Sequence, residues 1–375
     1  MLRRALQLNA WALATTLVVS SVGCHRHKHA PPDFTASQEP DRVLFEKSLE
    51  DIKNHRYAVA RLTLQTLLNT YPDSDSLDRA KLAIADSWYE EGGTAGLTHA
   101  EAEYKDFITF FPNSPHAAYA QHRAAMCHYR QLEKPDRDRT HASRAERDFQ
   151  LLLISYPESE YAADGAIKLK EVQEVLAEAE YRVGRFYYIK QAYVAAASRL
   201  EDLAAKYPNY SQLDDALWMV GQSFEKMEIP NRERAALYYA RILTDFPLSG
   251  RVDNAQKRLQ ELGKPIPQPS PEVLARAQKE AELMEERGRS LLGRLFGMFS
   301  GKPDTSPAWG KLGPPVLDTD SRKPPPITEE EIEAQRQILV ARLAANNPHV
   351  AKEGEENKGG NANKKGFWRK LVPFW

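Results

Sequence analysis

Residues 145–159 read AERDFQLLLISYPES, and this stretch decides the fold. Ala145, Phe149, Leu152 and Tyr156 follow one another at spacings of four, three and four, so an α-helix carries all of them on one face. Pro157 then stops the helix, because it has no N–H to continue the ladder. The pattern occurs five times, closing at Tyr71-Pro72, Phe111-Pro112, Tyr156-Pro157, Tyr207-Pro208 and Phe246-Pro247. Successive prolines are 40, 45, 51 and 39 residues apart. Four marks carry Ser two positions on (Ser74, Ser114, Ser159, Ser249), and the fourth carries Tyr210.

Twelve residues before each proline stands alanine: Ala60, Ala100, Ala145, Ala196 and Ala235. With Ala at roughly one position in ten, that coincidence has a chance of about 1 in 10⁵. Eight before are Leu64, Tyr104, Phe149, Leu200 and Tyr239; five before are Leu67, Phe107, Leu152, Leu203 and Ile242. A small side chain lets a neighbouring helix approach, and the large ones fill the groove beside it. Upstream, Val183-Gly184 with Tyr187, and Leu217, Val220, Gly221 and Phe224, have the spacing of the first helix of a tetratricopeptide repeat. In the second repeat Ala85 and Trp88 take the glycine and aromatic positions, and an extended turn is expected over 90–98. Leu132 to His141 is a charged insertion in the third. The fold class is therefore all-α: a tetratricopeptide-repeat α-solenoid of five helix pairs over residues 41–263.

The N-terminus carries Arg3 and Arg4, then an uncharged apolar run from Ala10 to Val22, too short to span a bilayer well. It reads as the signal peptide, residues 1–23, and Ser21-Val22-Gly23-Cys24 has the form of a lipoprotein processing site, with Cys24 as the lipidated residue. Acyl chains on Cys24 hold a protein to a membrane at about 0.8 kcal/mol per buried CH₂. Residues 24–40 form a flexible tether. Loss of the leader takes the formal charge from −1 to −3, which leaves no electrostatic footprint for nucleic acid. Once Cys24 is acylated, Cys127 has no disulfide partner, and it reads as a small buried hydrophobe.

No Gly-rich phosphate loop, paired-cysteine motif or His-Glu-x-x-His occurs, so neither an enzyme nor a cofactor is expected. His25, His27 and His29 lie in the tether without a fourth ligand, and no metal site is assigned to them.

Several stretches go beyond the generic repeat. Ile84 to Gly93 (IADSWYEEGG), Ala102 to Ile108 (AEYKDFI) before Phe111-Pro112-Asn113, Asp136-Arg137-Asp138 and Gly184-Arg185-Phe186-Tyr187-Tyr188 closely resemble the BamD family of outer-membrane assembly lipoproteins. The resemblance covers about residues 41–263, with the lipidation site in its expected place. It implies a scaffold and substrate receptor in insertion of β-barrel proteins, lipid-anchored in the outer membrane and facing the periplasm. It also implies two partners: a BamA-like barrel-forming assembly subunit, bound through its periplasmic domains, and unfolded outer-membrane proteins. Carried onto this sequence, the substrate side comprises Trp88, Tyr89, Tyr104, Tyr119 and Arg123. The partner side comprises Asp136, Arg137, Asp138, Arg185, Tyr188 and Arg199. An envelope adaptor in cell division or peptidoglycan synthesis is the alternative reading of the repeats.

Residues 264–375 lie outside the resemblance. Pro265, Pro267, Pro269 and Pro271 make a stiff linker, followed by a helix expected over about 270–299. Lys302 to Pro326 is rich in Pro and Gly and is expected to be disordered. A second helix is expected over about 328–346, begun by Thr328 with Glu331 three residues on. The chain ends in a basic-aromatic tail containing Phe367, Trp368, Phe374 and Trp375, suited to an anionic membrane interface or to docking in a partner groove.

Overall fold

The computed structural model describes residues 39–288 and 302–317, and among these there is no strand. Expectations for Cys24, the tether before residue 39, the helix near 328–346 and the tail at Phe367, Trp368, Phe374 and Trp375 fall outside the described residues, and Pro40, expected to end the tether, opens the first helix. The chain divides into two compact units, one ending at Ser87 and one beginning at Trp88.

The first unit holds α1 (Pro40–Lys53), α2 (Tyr57–Thr70) and most of α3 (Leu77–Glu91). Helix α1 packs on α2, whose Ala60, Leu64 and Leu67 are completely buried. Arg61 of α2 donates to the Ser87 hydroxyl of α3 at 3.4 Å. Ala85, at the glycine position of this repeat, is itself fully buried.

The second unit continues with α4 (Gly93–Phe110), α5 (Ala117–Tyr129), α6 (Thr140–Ser155), α7 (Ala162–Ile189), α8 (Tyr193–Lys206), α9 (Leu213–Lys226) and α10 (Arg232–Asp245). Each packs on the next in order, as neighbours do in a repeat array. A further helix, α11 (Val252–Glu261), packs on α10, and α12 (Pro271–Gly288) follows the proline linker. Among the described residues ten helices stand where the spacing predicts repeat helices, and α11 is an additional one.

The alanine column and both columns of large residues are buried to 1% exposure or less. The aromatics before proline behave differently: only Tyr207 is buried, and the other four are partly exposed. Each aromatic sits at the helix C-cap with φ between −127° and −135°, outside the α region that a following proline disfavours. Its N–H still makes the last helical bond, as from Tyr156 to the Leu152 carbonyl at 2.8 Å. The mark then builds the next helix start. Ser159 N donates to Tyr156 O at 3.1 Å, and Ala162 N to Ser159 O at 3.0 Å, and the other four marks repeat both turns. At three of them the serine hydroxyl also accepts a backbone N–H two residues on: Ser76 to Ser74, His116 to Ser114 and Arg251 to Ser249.

Three details differ from the sequence reading. The extended turn expected over 90–98 is a tight corner, because Gly92 and Gly93 take φ of +72° and +66°, and the remainder is absorbed into the 18-residue helix α4. Gly184 and Gly221 have partners that spacing alone does not name. A Cβ on Gly184 would collide with Leu200, and one on Gly221 would lie 2.6 Å from the Tyr239 ring. Finally, the stretch expected to be disordered from Lys302 is placed as far as Leu317. It includes a 3₁₀ turn (Ser306–Gly310) packed on α7 and α12, and Leu317 lies against the core of the second unit. Beyond the bonds of that turn, Ala308 N to Thr305 O at 3.2 Å and Lys311 N to Ala308 O at 3.3 Å, side chains of the repeats supply the strap's main-chain partners.

Candidate functional site

The residues assigned to substrate sit together in the second unit, although two of them are core. Tyr104 is fully buried and Tyr89 is 6% exposed, so neither has surface to offer a ligand, and both are corrected to packing residues. Their rings meet edge-on at 6.4 Å, and Tyr104 meets Tyr119 at 6.3 Å. The Arg123 guanidinium lies 4.6 Å over Tyr89 and 5.1 Å over Tyr119, and Arg130 lies 4.6 Å over Tyr89. Arg123 Nε also donates to the Tyr119 hydroxyl at 3.0 Å, and Arg130 to the Tyr89 carbonyl at 2.9 Å. Arg130, absent from the sequence reading, therefore completes the cluster. Trp88 is half-buried and stacks on His99 with ring centroids 4.5 Å apart. The partly exposed members are Trp88, Tyr119 and Arg123.

The charged turn before α6 is exposed throughout residues 136–140. Asp138 accepts from Thr140 N at 2.9 Å and Thr140 Oγ at 2.8 Å, which holds its carboxyl below the usual range. Arg137 and Asp138 line an open groove with Arg139, Arg144, Arg147, Lys206 and Glu180. Arg139 pairs with Glu180 at 2.5 Å, and the cations still outnumber the acids. Four of the groove's cations escaped the sequence reading, since nothing in a charge count shows that α6 and the end of α8 line the same groove.

Arg185 and Arg199 are exposed, on α7 and α8. Tyr188 is half-buried: its hydroxyl bonds Gln222, it accepts from Lys226 at 2.9 Å, and its ring meets Tyr193 at 5.9 Å. It joins the fourth repeat to the fifth. Beside it the end of α7 exposes Val183, Phe186 and Ile189, at 38%, 55% and 59%, with Val194 of α8 at 48%. That apolar group was also missed. Its residues lack the alanine-and-proline mark, and exposure is a tertiary property.

Two buried ionisable clusters complete the chemistry. Glu101, His128 and Asp148 bring ligand-type atoms within 4.8 Å of one another. Lys105 Nζ stands 2.6 Å from Glu101 Oε1 and 3.1 Å from Asp148 Oδ2, so an ammonium already supplies the positive charge. His128 Nε2 approaches Glu101 at 3.0 Å without hydrogen-bond alignment, and burial pushes its pKa down. Lys105 thus neutralises this carboxylate pair from within the chain. The Cys127 thiol is likewise buried and pushed up to about 12, which makes it inert.

Glu174 on α7 accepts from Ser211 N at 3.1 Å and from the Ser211 hydroxyl, and burial raises it to about 7. An unfolded glutamate titrates near 4.5. Between those values the folded chain retains a proton that the unfolded chain releases, so stability falls as pH rises through this window. Glu174→Gln is expected to remove that decline. Its thermal midpoint should exceed the parent's at pH 8 and approach it towards pH 4, and equal midpoints at pH 8 would refute this assignment.

Residues 37–239 match the family model described as YfiO, outer membrane lipoprotein. Proteins named outer membrane protein assembly factor BamD are similar. That of Caulobacter vibrioides is 24% identical, covering 57% of this chain and 70% of the relative. That of Xylella fastidiosa is 26% identical over 58% and 75%, and that of Neisseria gonorrhoeae 24% identical over 65% and 93%. Five Pro-closed helix pairs, the resemblance read from residues 41–263 and a family match over more than half of the chain agree: the protein belongs to the YfiO family of outer membrane lipoproteins.

Proposed function

We propose that this protein acts in outer membrane protein assembly, by binding and without catalysis, as scaffold and receptor. The single observation that carries the reading is the family match over the repeats, with relatives named as assembly factors. Cys24 is the attachment point, anchoring the chain to the outer membrane on its periplasmic side. In keeping with that, no helix among the described residues is long and apolar enough to cross a membrane.

The assembly subunit is assigned to the end of α7 and the start of α8. Here Val183, Phe186, Ile189 and Val194 offer apolar area, with Arg185 and Arg199 as charged neighbours. Interfaces combine such an apolar centre with a charged rim. The groove of Arg137, Arg139, Arg144 and Arg147 suits an acidic segment of the same partner. Unfolded barrel proteins are assigned to the partly exposed Trp88, Tyr119 and Arg123.

Affinity capture of the detergent-solubilised protein, with mass spectrometry of what is retained, tests this. A β-barrel subunit with periplasmic repeats is the expected companion. Phe186→Glu should reduce its recovery at least tenfold with the helical content unchanged, by burying an unpaired charge at the centre of the contact. Retention of division or peptidoglycan proteins alone would overturn the assembly reading and favour the adaptor. Undiminished recovery with Phe186→Glu would refute this placement of the contact.

A further inference from the structure

The strap of residues 305–317 lies across the repeats in a manner unlike ordinary interior packing. Its contacts are made chiefly through its own backbone. Gln173 of α7 donates from Nε2 to Val316 O at 2.7 Å and accepts from Val316 N at 3.1 Å. One carboxamide thus satisfies both main-chain groups of one residue, as a neighbouring β-strand would. Gln150 of α6 donates to the same Val316 carbonyl at 3.4 Å. Asn209, in the turn between α8 and α9, donates to Pro314 O at 2.6 Å, and Lys170 to Lys311 O at 3.3 Å. The Trp309 indole N–H donates to Glu171, a carboxylate with no exposure that also receives the Tyr129 hydroxyl and, at 3.1 Å, Lys168.

The repeats therefore provide a row of amide and ammonium donors spaced along an extended chain. The strap matches it with carbonyls, and Pro314 and Pro315 hold that chain extended without needing donors of their own. Close approach is essential at Gly313, where a Cβ would lie 2.5 Å from Asn209 Oδ1. Ala308 is buried at 3% exposure, whereas half of the Trp309 surface remains open (46%). The strap is thus an inserted peptide, and more than 40 residues separate it along the chain from the last residue assigned to the repeats.

We propose that the face formed by α6, α7 and the α8–α9 turn is a docking groove for an extended, proline-bearing peptide, and that residues 305–317 of the same chain are its resident occupant. The groove reads main chain at Gln173, Gln150, Asn209 and Lys170, and side chain at one indole. A competing segment enters only when the strap leaves. The proposal does not depend on the assembly role.

Hydrogen exchange on the full-length, detergent-solubilised protein tests occupancy. The amides of Leu312 and Val316, which are bonded to Glu280 and Gln173, are expected to exchange at least tenfold more slowly than in an isolated peptide. Gln173→Ala should release Val316. Trp309→Ala, which lies outside the repeats and leaves their folding intact, should release the whole strap. Exchange at free-peptide rates in the parent would overturn the proposal. A fluorescent synthetic peptide of residues 305–317, added in trans, tests the groove. It should bind the Trp309→Ala protein at least tenfold more tightly than the parent, with a scrambled peptide binding neither. If the peptide bound both proteins equally, or neither, the strap would be a fixed structural element and no docking groove would exist.

Discussion

Phe149→Ala is expected to lower stability by about 3–5 kcal/mol, the usual range for removing a buried phenylalanine ring. Phe149 has no exposure and sits at the junction of three helices. Its ring meets Tyr129 at 6.3 Å and His122 at 6.1 Å, both on α5, and it lies beneath Gly165 of α7. Those neighbours are themselves anchored, Tyr129 to Glu171 and His122 to Asp164 at 2.8 Å. The surroundings cannot collapse into the space, so the cavity contribution is retained. In a repeat array each pair is stabilised by its neighbours, and a weakened third repeat uncouples those on either side. Thermal unfolding should therefore broaden or split as the midpoint falls. Leu151→Ala, two residues on and 44% exposed, is the control and should change stability by less than about 0.5 kcal/mol. Equal effects at the two positions would contradict the packing described.

Gly221→Val is expected to destabilise by about 1–3 kcal/mol, the range for overpacking. An added Cβ would stand 2.6, 2.8 and 3.0 Å from three atoms of the Tyr239 ring, before the valine methyls are counted. Whether the ring can retreat decides the cost, and it is pinned at both ends. Its hydroxyl donates to Glu225 at 2.8 Å, and Glu225 is held by Arg258 at 2.6 Å. The ring itself packs on Trp218 at 5.1 Å. Moving it breaks a buried hydrogen bond or disturbs a second ring. Tyr239→Leu should partly rescue Gly221→Val, since a leucine is shorter than the ring, flexible, and free of the bonds to Glu225 and the packing on Trp218 that hold Tyr239 in place. Calorimetric midpoints of the two single variants and the double variant measure this. If the double variant were no more stable than Gly221→Val alone, the collision would lie elsewhere.

Both variants follow from residues legible in the sequence, but to different depths. Phe149 belongs to a column marked by a fixed offset from proline, and a fixed offset on a helix means a fixed face. Its burial needed no tertiary information. Gly221 was recognised from repeat spacing, whereas its collision partner was not. Gly184 meets a residue 16 positions on and Gly221 one 18 on, because the connecting turns differ in length. Likewise Tyr104 carried the same column mark as Phe149, so its position already implied core. Assigning it to substrate set a family resemblance against that periodicity, and the periodicity prevailed.

The sequence by itself determined the number of repeats, the stopping point of each second helix and the residues that fill the interior. Those properties depend on local backbone chemistry: proline ends a helix, an alanine column admits a neighbour, and spacings of three and four keep one face apolar. Only the tertiary structure decided which side chains remain available. Arg139, Arg144, Arg147 and Lys206 line one groove, and Val183, Phe186, Ile189 and Val194 stay exposed, because of how α6, α7 and α8 pack. The strap is the clearest case. Composition predicts that a chain rich in proline and glycine has no structure of its own, and residues 302–317 make little. Their order is supplied by Gln173, Asn209, Glu171 and Lys170, which come from distant parts of the sequence and are aligned only once the repeats have stacked.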